Sequence, residues 1–198
     1  MSTEIQMFGT EGNLMRKSKE EAALTRKRIV TAAAEEFRKN GIVATGLNDL
    51  MNAAGLTHGG FYKHFESKDQ LVTEACAEAV ETMIESVANG AAGGTPVAET
   101  YLSTSHRDNP AAGCPLSAIG SELGRCDEGT RTVATEGFLK LVDIMARQFR
   151  KVKPADARRK ALAAVSTMIG AMTMSRMVTD PELSAEILRE AKASLSKT

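Results

Sequence analysis

Cysteine, histidine and the alternating pattern of strands are all scarce in this sequence. Its 198 residues include three cysteines, Cys76, Cys114 and Cys126, with no CxxC spacing. That excludes a disulfide framework and a cysteine-rich zinc site, and a reducing, cytoplasmic setting is the expectation. The three histidines, His58, His64 and His106, fall in no HExxH or Glu-x-x-His pattern, which leaves a metal-dependent helical enzyme without a ligand set. His106 with Arg107 and Asp108 is an isolated polar cluster beside a loop, expected at the surface rather than in a catalytic site. No cofactor is implied. No apolar run approaches the ~20 residues of a membrane span, and the start lacks the basic-then-apolar order of a signal peptide. No membrane partner is therefore expected. No segment alternates with period two, so strands are not expected and the chain reads as all-α.

The charges balance overall, with 25 Lys plus Arg against 25 Asp plus Glu. The balance hides an asymmetry. From Arg16 to His64 nine basic residues face five acidic ones, whereas from Ala77 onward there are fifteen of each. A basic first segment on a neutral body suits an anionic partner for that segment alone, although a solvated basic face has the same charge.

About nine helices are expected. Residues 1–18 read as a disordered extension, 19–70 as one domain and 71–198 as a second. The first helix runs from about Leu24 to Asn40, with Ile29, Ala33 and Phe37 on one face and Gly41 as its stop. A short second helix spans about Leu47 to Ala54. Gly55 follows, suited to a left-handed helix exit. The third helix is about Thr57 to His64, with Leu56, Phe61 and Phe65 inward. Ser67 and Gln70 form a capping box for a long fourth helix, about Lys68 to Ala88, whose apolar stripe suits a connecting rod. The Gly- and Ala-rich linker from Asn89 to Pro96 ends it. Further helices are expected near Val97–Ser105, Pro115–Leu123, Glu128–Arg150, Ala155–Met177 and Pro181–Ser196.

Two short helices joined by a tight glycine turn make the pattern of a helix-turn-helix, whose second helix lies in the DNA major groove. The residues go further. VTAAAEEFRKNG followed by LNDLMNAAGLTHGGFYKHFESKDQL resembles the DNA-binding domain of the TetR family of bacterial transcriptional regulators, over about Thr25 to Ala75. GCPLSAIGSEL and the stretch from Ile169 to Pro181 are similar to one branch of that family. The resemblance implies an N-terminal three-helix DNA-binding domain and a C-terminal helical domain for ligand binding and dimerisation. It also implies a homodimer on a pseudo-palindromic, double-stranded operator, mostly as a repressor released by a small molecule.

Carried over position by position, the resemblance puts Thr57, His58, Gly59 and Gly60 at base edges. It puts Thr45, Tyr62, Lys63, His64 and Lys68 at phosphates. Where the family usually adds a second Thr or Ser after Thr45, this chain has Gly46. An imidazole at His58 can donate to a purine acceptor. Gly59-Gly60 costs about 1 kcal/mol of helix propensity per residue, which fits a backbone pressed onto DNA or a frayed helix. With so few reaching side chains, specificity would come largely from operator shape or the basic N-terminal arm.

In the second domain, Ala161, Val165, Met168, Ile169 and Met172, with Leu183, Ile187 and Leu188, form apolar stripes expected to pair two chains in a four-helix bundle. An intrachain core would show the same stripes. Tyr101, Leu116, Phe138, Leu141, Val142, Met145 and Phe149 are the expected walls of an effector pocket for an apolar or aromatic ligand, although such residues also fill ordinary cores. Cys114, before Pro115 at a helix start, is placed where free amides stabilise a thiolate. A redox or electrophile sensor using Cys114 and Cys126 is therefore the alternative.

Overall fold

The structure, a computed structural model, describes residues 8–149 and 152–196, with side chains from Lys19 onward except that of His58. Ten α-helices and two 3-10 segments account for its regular elements among the described residues, with no strand. Helix α1 spans Phe8–Asn40, α2 Leu47–Ala53, and a 3-10 segment His58–Lys63. The rod, α3, is Lys68–Ala92; α4 is Val97–Tyr101 and α5 Thr104–Asp108. A second 3-10 turn, Pro110–Ala112, leads to α6 (Pro115–Ala118) and α7 (Gly120–Leu123). The three long helices α8 (Glu128–Ala146), α9 (Pro154–Met177) and α10 (Pro181–Ser196) complete the body.

Helix α1 begins at Phe8 rather than near Leu24, so the expected disordered extension is helical from residue 8. Residues 1–7 lie outside the described ones. The reason is local: from Leu14 to Leu24 the chain is mostly Leu, Met, Arg, Lys, Glu and Ala, all strong helix formers. Propagating an existing helix through such residues needs no tertiary support. The expected helix near Val97–Ser105 is two, because Ser103 turns extended and its Oγ accepts from the His106 amide at 3.1 Å, starting α5. The expected Pro115–Leu123 helix is likewise split at Ile119, whose φ is −130°.

Two apolar clusters organise the fold. The first joins α1, α2, the 3-10 segment and the front half of α3 around Ile29, Phe37, Leu50, Phe61 and Leu71, and it reaches Ile119 and Leu123. The second joins the end of α3 with α4, α8, α9 and α10 around Tyr101, Leu141, Val165, Met168 and Met172. Helices α3 and α8 pack closely at Gly137. A Cβ built on Gly137 would meet Val80 Cγ1 at 2.5 Å, so only glycine permits this approach. Hydrogen bonds also join the N-terminal head to the body. Arg38 Nε, on α1, donates to the Ala111 carbonyl at 2.5 Å. Val43 N–H donates to Glu122 Oε2 at 2.9 Å.

Candidate nucleic-acid interface and cavity

The head is built on buried phenylalanines. Gly55 takes φ +69°, closing the turn after α2. Arg28 donates to the Ala54 carbonyl at 2.7 Å, pinning that turn to α1. The following helix is wound as 3-10 rather than α, since Gly59-Gly60 offers little α-helix propensity. Phe61 is fully buried and stacks on Phe65 with ring centroids 5.5 Å apart; burying such a ring contributes roughly 1.5–3 kcal/mol. Arg26 secures the far end. It donates to the His64 carbonyl at 3.2 Å, pairs through both terminal nitrogens with Glu74 of α3, and lies 4.5 Å over the Phe65 ring.

On this anchor the outward side chains stand free. Tyr62 is 69 % exposed, edge-on to Phe61 at 5.1 Å. Thr57, Gly59 and Lys63 are exposed, Gly60 and His64 half-buried. A Cβ on Gly59 would meet nothing within 4 Å, so its openness is on the solvent side. The His58 side chain lies outside the described residues.

Two expected phosphate contacts are turned inward. Thr45 is buried, and its hydroxyl donates to the Gly41 carbonyl. Lys68 is half-buried, and its ammonium donates to the carbonyls of Ile42 and Thr45, each at 2.7 Å. The loop before α2 leaves its carbonyls without helical partners, and a cation at the start of α3 satisfies them. Ser67 caps α3 as expected, accepting from Gln70 N–H, while Gln70 Oε1 accepts from Glu66 N–H rather than from the cap residue itself.

A cavity of about 450 Å³ lies beside α3, walled by Thr82, Met83, Ser86 and Val87. Across from them stand Thr100 and Tyr101 of α4, His106 of α5, and Asn109, Ala112, Gly113 and Cys114. No Asp, Glu, Lys or Arg lines it. Of the expected pocket walls, only Tyr101 is among its lining residues. Leu141, Val142 and Met145 are buried in the core between α8 and its neighbours. Leu116 and Phe138 line a shallow groove near Ile169 instead. Phe149 packs at the rim of the core with Lys160 5.8 Å from its ring.

The cavity wall rests on His106, which is half-buried rather than exposed. Its Nε2 accepts the Cys114 N–H at 3.0 Å and its Nδ1 meets the Tyr101 carbonyl at 2.7 Å. Arg176 of α9 donates to the carbonyls of His106 and Arg107 at 2.6 and 3.1 Å. Burial lowers the pKa of His106 and of Arg176. Tyr101 is buried with its hydroxyl beside Cys114 and Ser117, and burial drives its pKa well up.

Cys114 does not sit in a thiolate site. Helix α6 has four residues, too short a dipole to matter, and the sulfur is buried, which pushes its thiol up from 9.0. Cys126 is half-buried in the head-side cluster, its thiol also raised by burial, whereas Cys114 belongs to the body cluster. Burial puts Cys76 at about 11. The three cysteines are free. The electrophile-sensor alternative thus loses the feature that motivated it.

The stripes expected to pair two chains are mostly internal. Ala161, Val165, Met168, Met172 and Leu188 are buried within the chain's own second cluster, out of reach of a partner. Ile169 and Ile187 are half-buried and Leu183 is 42 % exposed. The outward face of α9 carries Ala163, Thr167, Gly170, Met174 and Met177 instead, with the two methionines 41 % and 65 % exposed.

Residues 29–75 match the family model described as bacterial regulatory proteins, tetR family. Residues 76–191 match that of the transcriptional regulator LmrA/YxaF-like C-terminal domain. The chain belongs to the TetR family. It is a TetR-type transcriptional regulator with a DNA-binding domain. The regulator is 44 % identical over 59 residues to the HTH-type transcriptional regulator TtgR of Pseudomonas putida, covering 30 % of this chain and 28 % of TtgR. The chain thus matches under a third of the length of that curated relative. To the HTH-type transcriptional regulator LmrA of Bacillus subtilis (strain 168) it is 26 % identical over 156 residues, 75 % of this chain and 81 % of LmrA. A TetR transcriptional regulator from Chloroflexus aurantiacus superposes with TM-score 0.71 at 28 % identity, over 90 % of this chain and 95 % of that one. The reduced form of E. coli NemR shares the fold, with TM-score 0.71 at 17 % identity over 87 % and 95 %.

Among the described residues of this TetR-family regulator, no helix is long and apolar enough to cross a membrane, and no three His, Cys, Asp or Glu residues gather as a metal site. Sequence reasoning missed Arg26, Arg38 and His106. Arg38 alone left a signal, since it continues the buried face of Val30 and Ala34 at fourfold spacing.

Proposed function

We propose that this regulator is a homodimeric repressor of a pseudo-palindromic operator, released when a small neutral molecule fills the 450 Å³ cavity. The observation that carries the reading is one stretch of chain with two tasks. Asn109, Ala112, Gly113 and Cys114 line the cavity, and between the first two of them the Ala111 carbonyl receives Arg38 of α1. A ligand pressing on that wall acts on the head. It must favour the non-binding spacing of the two heads, because equal affinity for both spacings would shift nothing.

The cavity's chemistry supports a neutral ligand with an apolar body and polar groups. Its walls mix Met83, Val87 and Val97 with the hydroxyls of Thr82, Ser86 and Thr100. An ionic ligand would find no counter-charge in those walls.

On the DNA side, Tyr62, Lys63 and His64 grip phosphate, and Thr57, His58, Gly59 and Gly60 face the bases. Thr45 and Lys68 support the loop beneath them. Two copies pair through the outward face of α9 with Leu183 and Ile187 of α10, giving each dimer two half-site contacts. Fluorescence anisotropy with duplex DNA from upstream of the gene tests the reading. Saturable, salt-sensitive binding that Tyr62→Ala weakens is expected. Binding unaffected by that change, or absent altogether, would overturn it.

A further inference from the structure

The His106 ring can make its two hydrogen bonds in one protonation state only. Nε2 accepts the Cys114 N–H at 3.0 Å, so it carries no proton, and Nδ1 must then be the donor to the Tyr101 carbonyl at 2.7 Å. The ring is edge-on to Tyr101 with centroids 4.6 Å apart. Gly113 presses on its other edge, where a Cβ would come within 2.7 Å of the ring. These contacts tie α4, α5 and the Cys114 backbone into one continuous wall of the cavity.

The charged groups around the ring do not favour a second proton. From α9, the Arg176 guanidinium donates to His106's own carbonyl. On α5, Arg107 is paired with the exposed Asp108. From α4 and from the start of α6 come Tyr101 and Cys114, both held neutral by burial. The α3 side of the cavity contributes the uncharged Thr82 and Ser86. No carboxylate hydrogen-bonds the ring.

The geometry points to an acid-operated latch: a proton taken from solvent onto His106 Nε2 sets two donors face to face, expels the Cys114 amide and opens this wall of the cavity. Burial first, with Arg176 adding to it, holds the ring below its ordinary 6.5, so the latch is closed at neutral pH. Opening frees the segment that carries the Ala111 carbonyl, and with it the hold on Arg38. The consequence for ligand uptake rests on the cavity being the effector site; the latch itself does not.

The test uses the full chain, with nitrogen NMR of the His106 ring and the Cys114 amide from about pH 7.5 down to about pH 4.5. Nile red, a neutral dye with an apolar body, is titrated into the same samples. The ring is expected to titrate below 6.5. Protection of the Cys114 amide should fall about tenfold with the same midpoint, the size of one lost hydrogen bond. Dye affinity should fall with it, and His106→Gln should show neither change. A ring that titrates while the Cys114 amide stays protected would overturn the latch. So would an amide that opens with a midpoint unrelated to the ring. If His106→Gln does not fold, the wild-type ring and amide decide alone. Coincident titrations with no dye binding at any pH would support the latch and count against the effector reading of the cavity.

Discussion

Arg38 and Ala111 meet across the boundary between head and body, guanidinium to carbonyl at 2.5 Å, with Arg38 only 8 % exposed. A buried cation held by a loop carbonyl is a costly contact to keep, and burial lowers the Arg38 pKa accordingly. Arg38→Met keeps most of the packing but leaves the carbonyl unpaired. A loss of roughly 1–3 kcal/mol in urea unfolding is expected. No loss would mean that the contact carries nothing between the two parts.

The two lysines near the reader separate by role. Lys63 is exposed, while Lys68 gives hydrogen bonds to Ile42 and Thr45. Lys63→Ala should reduce the salt slope of DNA binding by about one and leave stability unchanged. Lys68→Ala should lower stability by about 1–3 kcal/mol, because the loop carbonyls lose a charged donor. Chemical denaturation and anisotropy at several salt concentrations distinguish the two. The reverse pattern would return Lys68 to the phosphates.

His106 makes stability depend on pH in a defined direction. Its folded pKa lies below the 6.5 of the free side chain, so the unfolded chain binds the extra proton first. Stability therefore rises with pH here: the contribution is full above 6.5, is lost as pH falls from there to the folded value, and is constant below it. The difference in Tm between wild type and His106→Gln, measured through this window, should shrink as pH falls. A difference that does not change with pH would contradict the neutral ring.

Dimerisation should respond to the outward face of α9 and not to its inward one. Gly170 is exposed with open space around it, whereas Leu188 is buried. Gly170→Arg should give a folded monomer by light scattering. Leu188→Ala should cost about 2–5 kcal/mol of stability through the cavity it leaves. A dimer that survives Gly170→Arg would place the interface elsewhere.

The long helices were legible because each carries its own signals. Asp180-Pro181 opens α10 and the Ser67–Gln70 cap opens α3 where the sequence puts them. The inside of α9 was legible as apolar but not as internal. Val165 and Met168 look alike whether they face their own chain or another, since periodicity reports a buried face and not its partner. The cavity was misplaced for a related reason. Leu141 and Val142 announce burial, but a cavity is where side chains fail to meet, and Thr82, Ser86 and His106 carry no periodic mark. Contacts such as His106 with Cys114 or Arg38 with Ala111 depend on how short helices fold back, which pairwise spacing along the chain does not encode.

Gly137 has a mechanical consequence. With its missing Cβ it lets α8 settle close onto Val80, so sliding α3 along that seam would have to displace a β-branched side chain already packed against the α8 backbone. The two helices form a single beam. Any swing of the head must then be taken up at the beam's ends, in the turn around Ser67 and in the short helices between Val97 and Leu123, where the chain changes direction most often.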